Sequence, residues 1–148
     1  MLTELCGQIR NWFEIEKIFG EFTVAGGIVS FASGESIAIQ DGQCYRIVGS
    51  VFNDGVHEYH AGTPDESLHP ETFDGAVWLL AIPAEVKALA KEIDDWVKAY
   101  GAQAANPFSS ESLSASSYSY TKTESAGTGA GATWQNIFAS RLNRWRKI

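Results

Sequence analysis

Three histidines, His57, His60 and His69, stand close together in the chain with Asp54 and Glu58 beside them. These are the residue types from which metal sites are built. Their spacing argues against one. His57 and His60 are three apart on a segment that reads as a strand and its exit, and an odd spacing sends side chains to opposite faces. No HExxH pair supports them. The expectation is three solvent-facing histidines, with no metal and no cofactor. Paired carboxylates occur at Asp65-Glu66 and Asp94-Asp95. Glycosidase-type acid–base work needs carboxylates from different elements facing one cleft, and neighbours on a polar face do not give that. The serines between 109 and 119 lack a G-x-S-x-G elbow. Gly127-Thr128-Gly129-Ala130-Gly131 lacks the Lys-Ser/Thr of a phosphate loop. Cys6 and Cys44 are too few for a zinc knuckle or a disulfide framework, and Cys6 falls on an apolar helical stripe as a small core residue. No catalytic residue is assigned.

Aromatic residues offer a different chemistry. Tyr45, Phe52, Tyr59 and Trp78 are of the type that stacks on bases, but such platforms need interleaved cations, and Arg46 is the one base between residues 18 and 86. They read as core. The remaining binding possibility is a platform of Trp78, Tyr45 and Tyr59 for a carbohydrate or peptide.

The elements that must position these residues are legible in part. Leu2, Leu5, Cys6, Ile9, Trp12 and Phe13 follow helical spacing, which predicts a first helix over 2–18. Strands are expected from 21 to 82. They comprise 22–24 and 28–31 around the turn Ala25-Gly26-Gly27, a short run at 36–39 ended by Asp41-Gly42, 44–52, and 56–59 after the turn Asn53-Asp54-Gly55. Residues 60–71 read as a loop. Residues 72–82 fit a buried strand or a buried helix, and Gly75 with the following Pro83 favours the strand. A second helix over 84–100 carries Val86, Leu89, Ala90, Ile93, Trp96, Val97 and Tyr100 on one face and is expected to stop at Gly101. Of the thirty-three residues 101–133, twenty-three are Gly, Ala, Ser or Thr. Too little apolar area is present there to offset the entropy of ordering. The stretch reads as a flexible arm, or one ordered by a partner. Trp134, Ile137, Phe138, Leu142 and Trp145 recover helical spacing behind Thr133 as N-cap.

The chain has 148 residues, 45% hydrophobic and 20% charged, which fits one ordinary domain and excludes disorder throughout. No apolar run reaches the ~18–20 residues of a membrane span, and the N-terminus has no basic-then-apolar signal pattern. A location in the cytoplasm or inside an assembly is expected. All eighteen acids precede Trp134, so residues 1–133 carry −11, while Arg141, Arg144, Arg146 and Lys147 give the tail +4. An acidic body disfavours general DNA binding, and the basic end suits an acidic partner or a neighbouring copy.

One stretch has a family look. Ser110-Glu111-Ser112-Leu113 followed by Tyr118-Ser119-Tyr120-Thr121 resembles the signature of head–tail connector (adaptor) proteins of long-tailed phages, including prophages. In that family the signature follows an amphipathic helix and precedes a short C-terminal helix with an Arg-rich end, as 84–100 and 134–147 do here. The stretch Ile47–Gly55, strand then Gly-Ser then Asn-Asp-Gly, resembles a hairpin common in phage structural proteins. The ending Arg141–Lys147 is similar to that of prophage proteins of this length. Typical adaptors are nearly all helical, whereas residues 21–82 here read as strands. The resemblance implies a non-enzymatic virion protein of the neck region, assembled in the host cytoplasm. It implies a ring of about twelve copies beneath the portal. Partners would be the portal, the next neck or tail protein, and genomic DNA passing without specific binding. A stopper or tail-completion protein is the nearest alternative.

The expected fold is α+β: a small antiparallel sheet or partly closed barrel with helices, a Ser/Gly-rich arm and a C-terminal helix. The expected division is a body at 1–101, an arm at 102–133 and a basic amphipathic helix at 134–148. Interaction with portal or a neighbouring subunit is expected at Tyr118, Tyr120, Trp134, Phe138, Arg141, Arg144, Trp145, Arg146 and Lys147. In that scheme Trp134 and Trp145 are buried anchors, and Arg144 and Arg146 form ion pairs.

Overall fold

A computed structural model describes residues 1–104 and 133–148. The fold is α+β, with five antiparallel strands and four helices among the described residues. The chain divides into two units, one of Trp12–Ala84 and one of Met1–Asn11 with Glu85–Ile148. This differs from the division at 101 and 133. The chain leaves the helical unit after its first helix, builds the whole sheet, and returns at Glu85. Among the described residues, no helix is long and apolar enough to cross a membrane.

The sheet unit holds β1 (Glu14–Ala25), β2 (Ile28–Phe31), β3 (Cys44–Val48), β4 (Gly55–Glu58) and β5 (Glu71–Leu80). Their order is β2-β1-β5-β3-β4, all neighbours antiparallel. Gly26 and Gly27 close the β1–β2 hairpin as expected, with Ala25 opposite Ile28. Phe22, Val24, Val29, Tyr45, Ile47, Phe73, Val77 and Leu79 point to one face and form the core. Phe22 stacks on Phe31 at 5.3 Å between centroids and lies 5.6 Å from Phe73. Such pairs add about 0.5–1.5 kcal/mol beyond the area they bury. Ile37 is buried in this core, but 36–39 forms no ladder; its one bridge pairs Ser36 with Ser30. The ambiguous segment at 72–82 is strand β5. Gly75 is required there, because a Cβ would lie 2.2 Å from the Val48 carbonyl oxygen of β3. The amide of Ala81 donates to the carbonyl of Phe13 at 2.8 Å, so the two ends of the unit are joined.

The helical unit holds α1 (Leu2–Ile9), α2 (Ala84–Ala104), α3 (Trp134–Ile137) and α4 (Ala139–Asn143). Three expectations are corrected. The first helix ends at Ile9 rather than near 18. Arg10 and Phe13 both adopt left-handed backbone, φ 53°. The amides of Arg10 and Asn11 close the helix on the carbonyls of Gly7 and Cys6, each at 3.1 Å. Ile15, Ile18 and Phe19 continue a helical spacing, yet residues 14–24 pair along β5, and the ladder overrides the local pattern. The second helix does not stop at Gly101 but continues through Ala104. Glycine costs only ~1 kcal/mol in a helix, and the good helix formers Ala102, Gln103 and Ala104 follow it. The C-terminal helix is two short helices with Phe138 between them, and Thr133 makes no side-chain cap bond. Residues 105–132, with Tyr118, Tyr120 and the connector-like signature, lie outside the described residues.

Candidate interaction site

The expected interaction residues of the C-terminal segment are brought together, but on their own unit. Phe138 is 2% exposed and Leu142 4%. The Phe138 ring meets Trp96 of α2 edge-on at 6.4 Å. The backbone seals the segment: Lys147 N–H donates to the Ile9 carbonyl at 3.0 Å, and Asn11 Nδ2 donates to the Trp145 carbonyl at 3.1 Å. Arg141 forms a two-pronged pair with Glu92, at 2.9 and 2.7 Å. Arg144 faces Glu85 at 3.8 Å and lies 5.2 Å from the Trp145 ring. Trp134 and Trp145 are half-buried; Arg146 and Lys147 are exposed. Phe138 is thus covered within its own unit. A short apolar helix lowers its free energy most by covering apolar surface already present in its own chain. Beside this segment lies a cavity of about 150 Å³ whose lining includes Gln8, Ile9, Ala139, Leu142, Asn143 and Arg146.

The sheet unit presents a site that the sequence reading missed, the loop between β3 and β4. Residues 49–52 are not strand. The Glu71 carboxylate at the start of β5 gathers the loop under itself. It accepts the Ser50 hydroxyl, the Val51 amide at 3.0 Å, the Phe52 amide at 3.4 Å and Asn53 Nδ2 at 3.1 Å. Asn53 also ties the loop to His69, donating to its carbonyl at 2.9 Å and accepting from its amide at 2.7 Å. The Ser50 hydroxyl, then the loop amides, hold the Glu71 carboxyl below its ordinary range. Gly55 leaves the loop at φ 144°, as the turn Asn53-Asp54-Gly55 requires. With Ser50 and Asn53 turned inward, two apolar side chains are left outside: Val51 is 81% exposed and Phe52 66%. The Phe52 ring lies edge-on to His69 at 6.4 Å. Alternation along a strand puts one of two adjacent apolar residues outside, and the pair Val51-Phe52 directly before a turn was the available signal.

The histidines are not equivalent. His57 is a partly buried residue of β4, not a solvent-facing one. Its Nε2 lies 2.9 Å from the Asn53 carbonyl and its Nδ1 3.5 Å from Asp65. Burial pushes the Asp65 carboxyl up, but the Ser67 hydroxyl and amide, then His57, leave it below its ordinary value. His60 faces Glu58 at 3.7 Å. Among the described residues, no group of three His, Cys, Asp or Glu side chains is placed to hold a metal ion.

The three-aromatic platform is not assembled. Tyr45 and Tyr59 line a cavity of about 290 Å³ with Ile37, Ile39 and Glu58. Trp78 faces the other side of the sheet, where Lys17 sits 4.1 Å and Arg46 4.8 Å from its ring, and Arg46 also covers Trp12 at 3.6 Å. That side also exposes Phe19, 72% accessible on β1.

Comparison with family models, with curated proteins and with solved structures finds no match for this chain.

Proposed function

We propose that the chain is a structural protein of a phage neck, a ring-forming connector that joins the head portal to the tail and carries no catalytic step. One observation carries the reading. All five strands lie in one continuous insertion between α1 and α2, and the described remainder is helical. The order of elements outside the sheet is therefore an amphipathic helix, the segment bearing Ser110–Thr121, and a short helical end rich in arginine. That is the order the connector resemblance implies, with the strands as an addition to a helical adaptor. The sheet unit supports it further, since its eleven acids and two bases, net −9, suit a wall that DNA slides past.

The test mixes the purified full chain with the portal ring of its own phage and examines the product by mass measurement and negative-stain electron microscopy. The expected result is a closed ring of chains added to the portal. A chain that never joins the portal overturns the reading, and one that joins only after another neck protein makes it a stopper or completion protein. A second reading, a ligand-binding β module, is favoured by the cavity at Tyr45 and Tyr59. Perturbation of the Tyr45 and Tyr59 nuclear magnetic resonance signals by oligosaccharides or short peptides, without portal binding, would establish it instead.

A further inference from the structure

The ring in the proposed function needs a contact between copies, and the inference below rests on that reading. We infer that the Val51–Phe52 tip of one copy inserts into the cavity beside α4 of the next, so that each copy gives a tip and receives one. Three observations on separate parts of the molecule converge on this pairing.

The first is the build of the tip. A mobile loop would lose much of its binding free energy in becoming ordered, whereas a loop already fixed loses little. Glu71 and Asn53 hold the backbone from 50 to 53 in place, and His69 flanks the Phe52 ring. Phenylalanine and valine held rigidly in water gain from any surface that covers them.

The second is size. A cavity on the order of 150 Å³ accommodates a benzene ring. The cavity on the helical unit is about 150 Å³, and Ile9, Ala139 and Leu142 share its lining with five polar residues, Gln135 and Asn136 among them.

The third is charge. The tip belongs to a unit of net −9, with Asp54 and Glu71 next to it and no base from Gly49 to Asp54. The cavity lining contains no carboxylate and includes Arg146, with Arg144 and Lys147 adjacent in sequence. A tip meeting its own kind would bring acid to acid; a tip meeting this cavity brings acid to base. Because the two surfaces differ, the contact is head-to-tail, the type that builds a ring when its rotation closes.

The test uses full-length chain in sedimentation velocity, as the parent and as two variants. Phe52→Asp removes the tip and keeps the cavity; Asn143→Trp fills the cavity and keeps the tip. The parent is expected to self-associate. Each variant alone should lose self-association by roughly thirtyfold or more, the scale of an anchor residue at an interface. An equimolar mixture of the two should form a dimer and stop there, since only one tip and one cavity remain usable. Phe52→Ser serves as a milder tip variant, and unchanged melting of each variant shows that the fold is kept. A parent that stays monomeric at every concentration overturns the inference. So does a Phe52→Asp chain that associates like the parent, or a mixture that stays monomeric. If Phe52→Asp still forms the parent's ring on portal, this contact is wrong while the connector reading stands. If the parent never joins portal, that reading fails regardless of self-association.

Discussion

In the loop at 49–54 Ser50 and Asn53 are turned inward and Val51 and Phe52 outward; in the terminal segment at 134–145 Phe138 and Leu142 are turned inward and the arginines outward. Phe52 is 66% exposed over a nest of hydrogen bonds, and Phe138 is 2% exposed beneath a surface of arginines. The charges differ in the same sense. The sheet unit holds eleven acids and two bases, the helical unit seven acids and nine bases. An apolar stripe in a short terminal segment looks like a free adhesive surface, yet its own chain covers it. One apolar surface that stays uncovered belongs to a loop whose composition, Gly-Ser-Val-Phe-Asn-Asp, looks like a strand running into a turn. What separates the two is where the backbone finds hydrogen bonds. The loop satisfies its amides on Glu71, Asp54 and Ser50 and leaves Val51 and Phe52 outside, while the terminal segment is anchored by burying its side chains.

The contrast is broken or sharpened most strongly by removing the two phenylalanines. Phe138→Ala should cost about 3–5 kcal/mol, as for a large core side chain, and Phe52→Ala should lie within about 0.5 kcal/mol of the parent in urea unfolding. Equal losses would abolish the distinction. Next is the sheet itself. Gly75→Ala should destabilise by at least about 2 kcal/mol, because the added carbon meets backbone that cannot move aside; a parent-like midpoint means that β3 and β5 are further apart. Gly55→Val should cost at least about 1 kcal/mol through its positive φ. If Gly55→Val and Gly55→Ala melt like the parent, the turn is built differently.

The smaller effects concern charge. The folded Glu71 carboxyl titrates below its ordinary value of 4.5. Its contribution to loop order is thus complete above that pH and is lost as pH falls through the lower folded value. Amide resonances of Val51 and Phe52 should shift with a midpoint under 4.5, and exchange with solvent should quicken in Glu71→Gln. A midpoint at or above 4.5 would remove Glu71 as the loop's support. In the helical unit, Arg141→Ala should cost less than about 1 kcal/mol, since its pair with Glu92 is half-exposed.

The fold class and the second helix were legible because their signals are periodic and long. The stripe Val86, Leu89, Ala90, Ile93 and Trp96 is buried as its spacing requires. Glycine pairs marked the β1–β2 hairpin, and Asn-Asp-Gly marked the start of β4. Residues 14–20 were misread because Ile15, Ile18 and Phe19 match a helix as well as a strand, and only the partner β5, more than fifty residues away, decides. The same non-locality hid the loop. Glu71 reads as one more acid in an acidic chain until the fold carries it beneath Ser50. Among the residues expected to interact, composition identified the terminal segment as apolar but not which surface it would cover.

The hydrogen bond between Ala81 and Phe13 has a consequence for how such a chain can arise and be altered. It clips the two ends of the sheet unit together, so its seventy-odd residues begin and end close to one another. Elements with adjacent ends are the ones a host protein accepts as insertions. The sheet unit is in that sense a portable cassette, gained or exchanged by a single in-frame splice at its paired ends. Its loops can then diversify at the pace of whatever they touch, while the framework that carries them stays fixed.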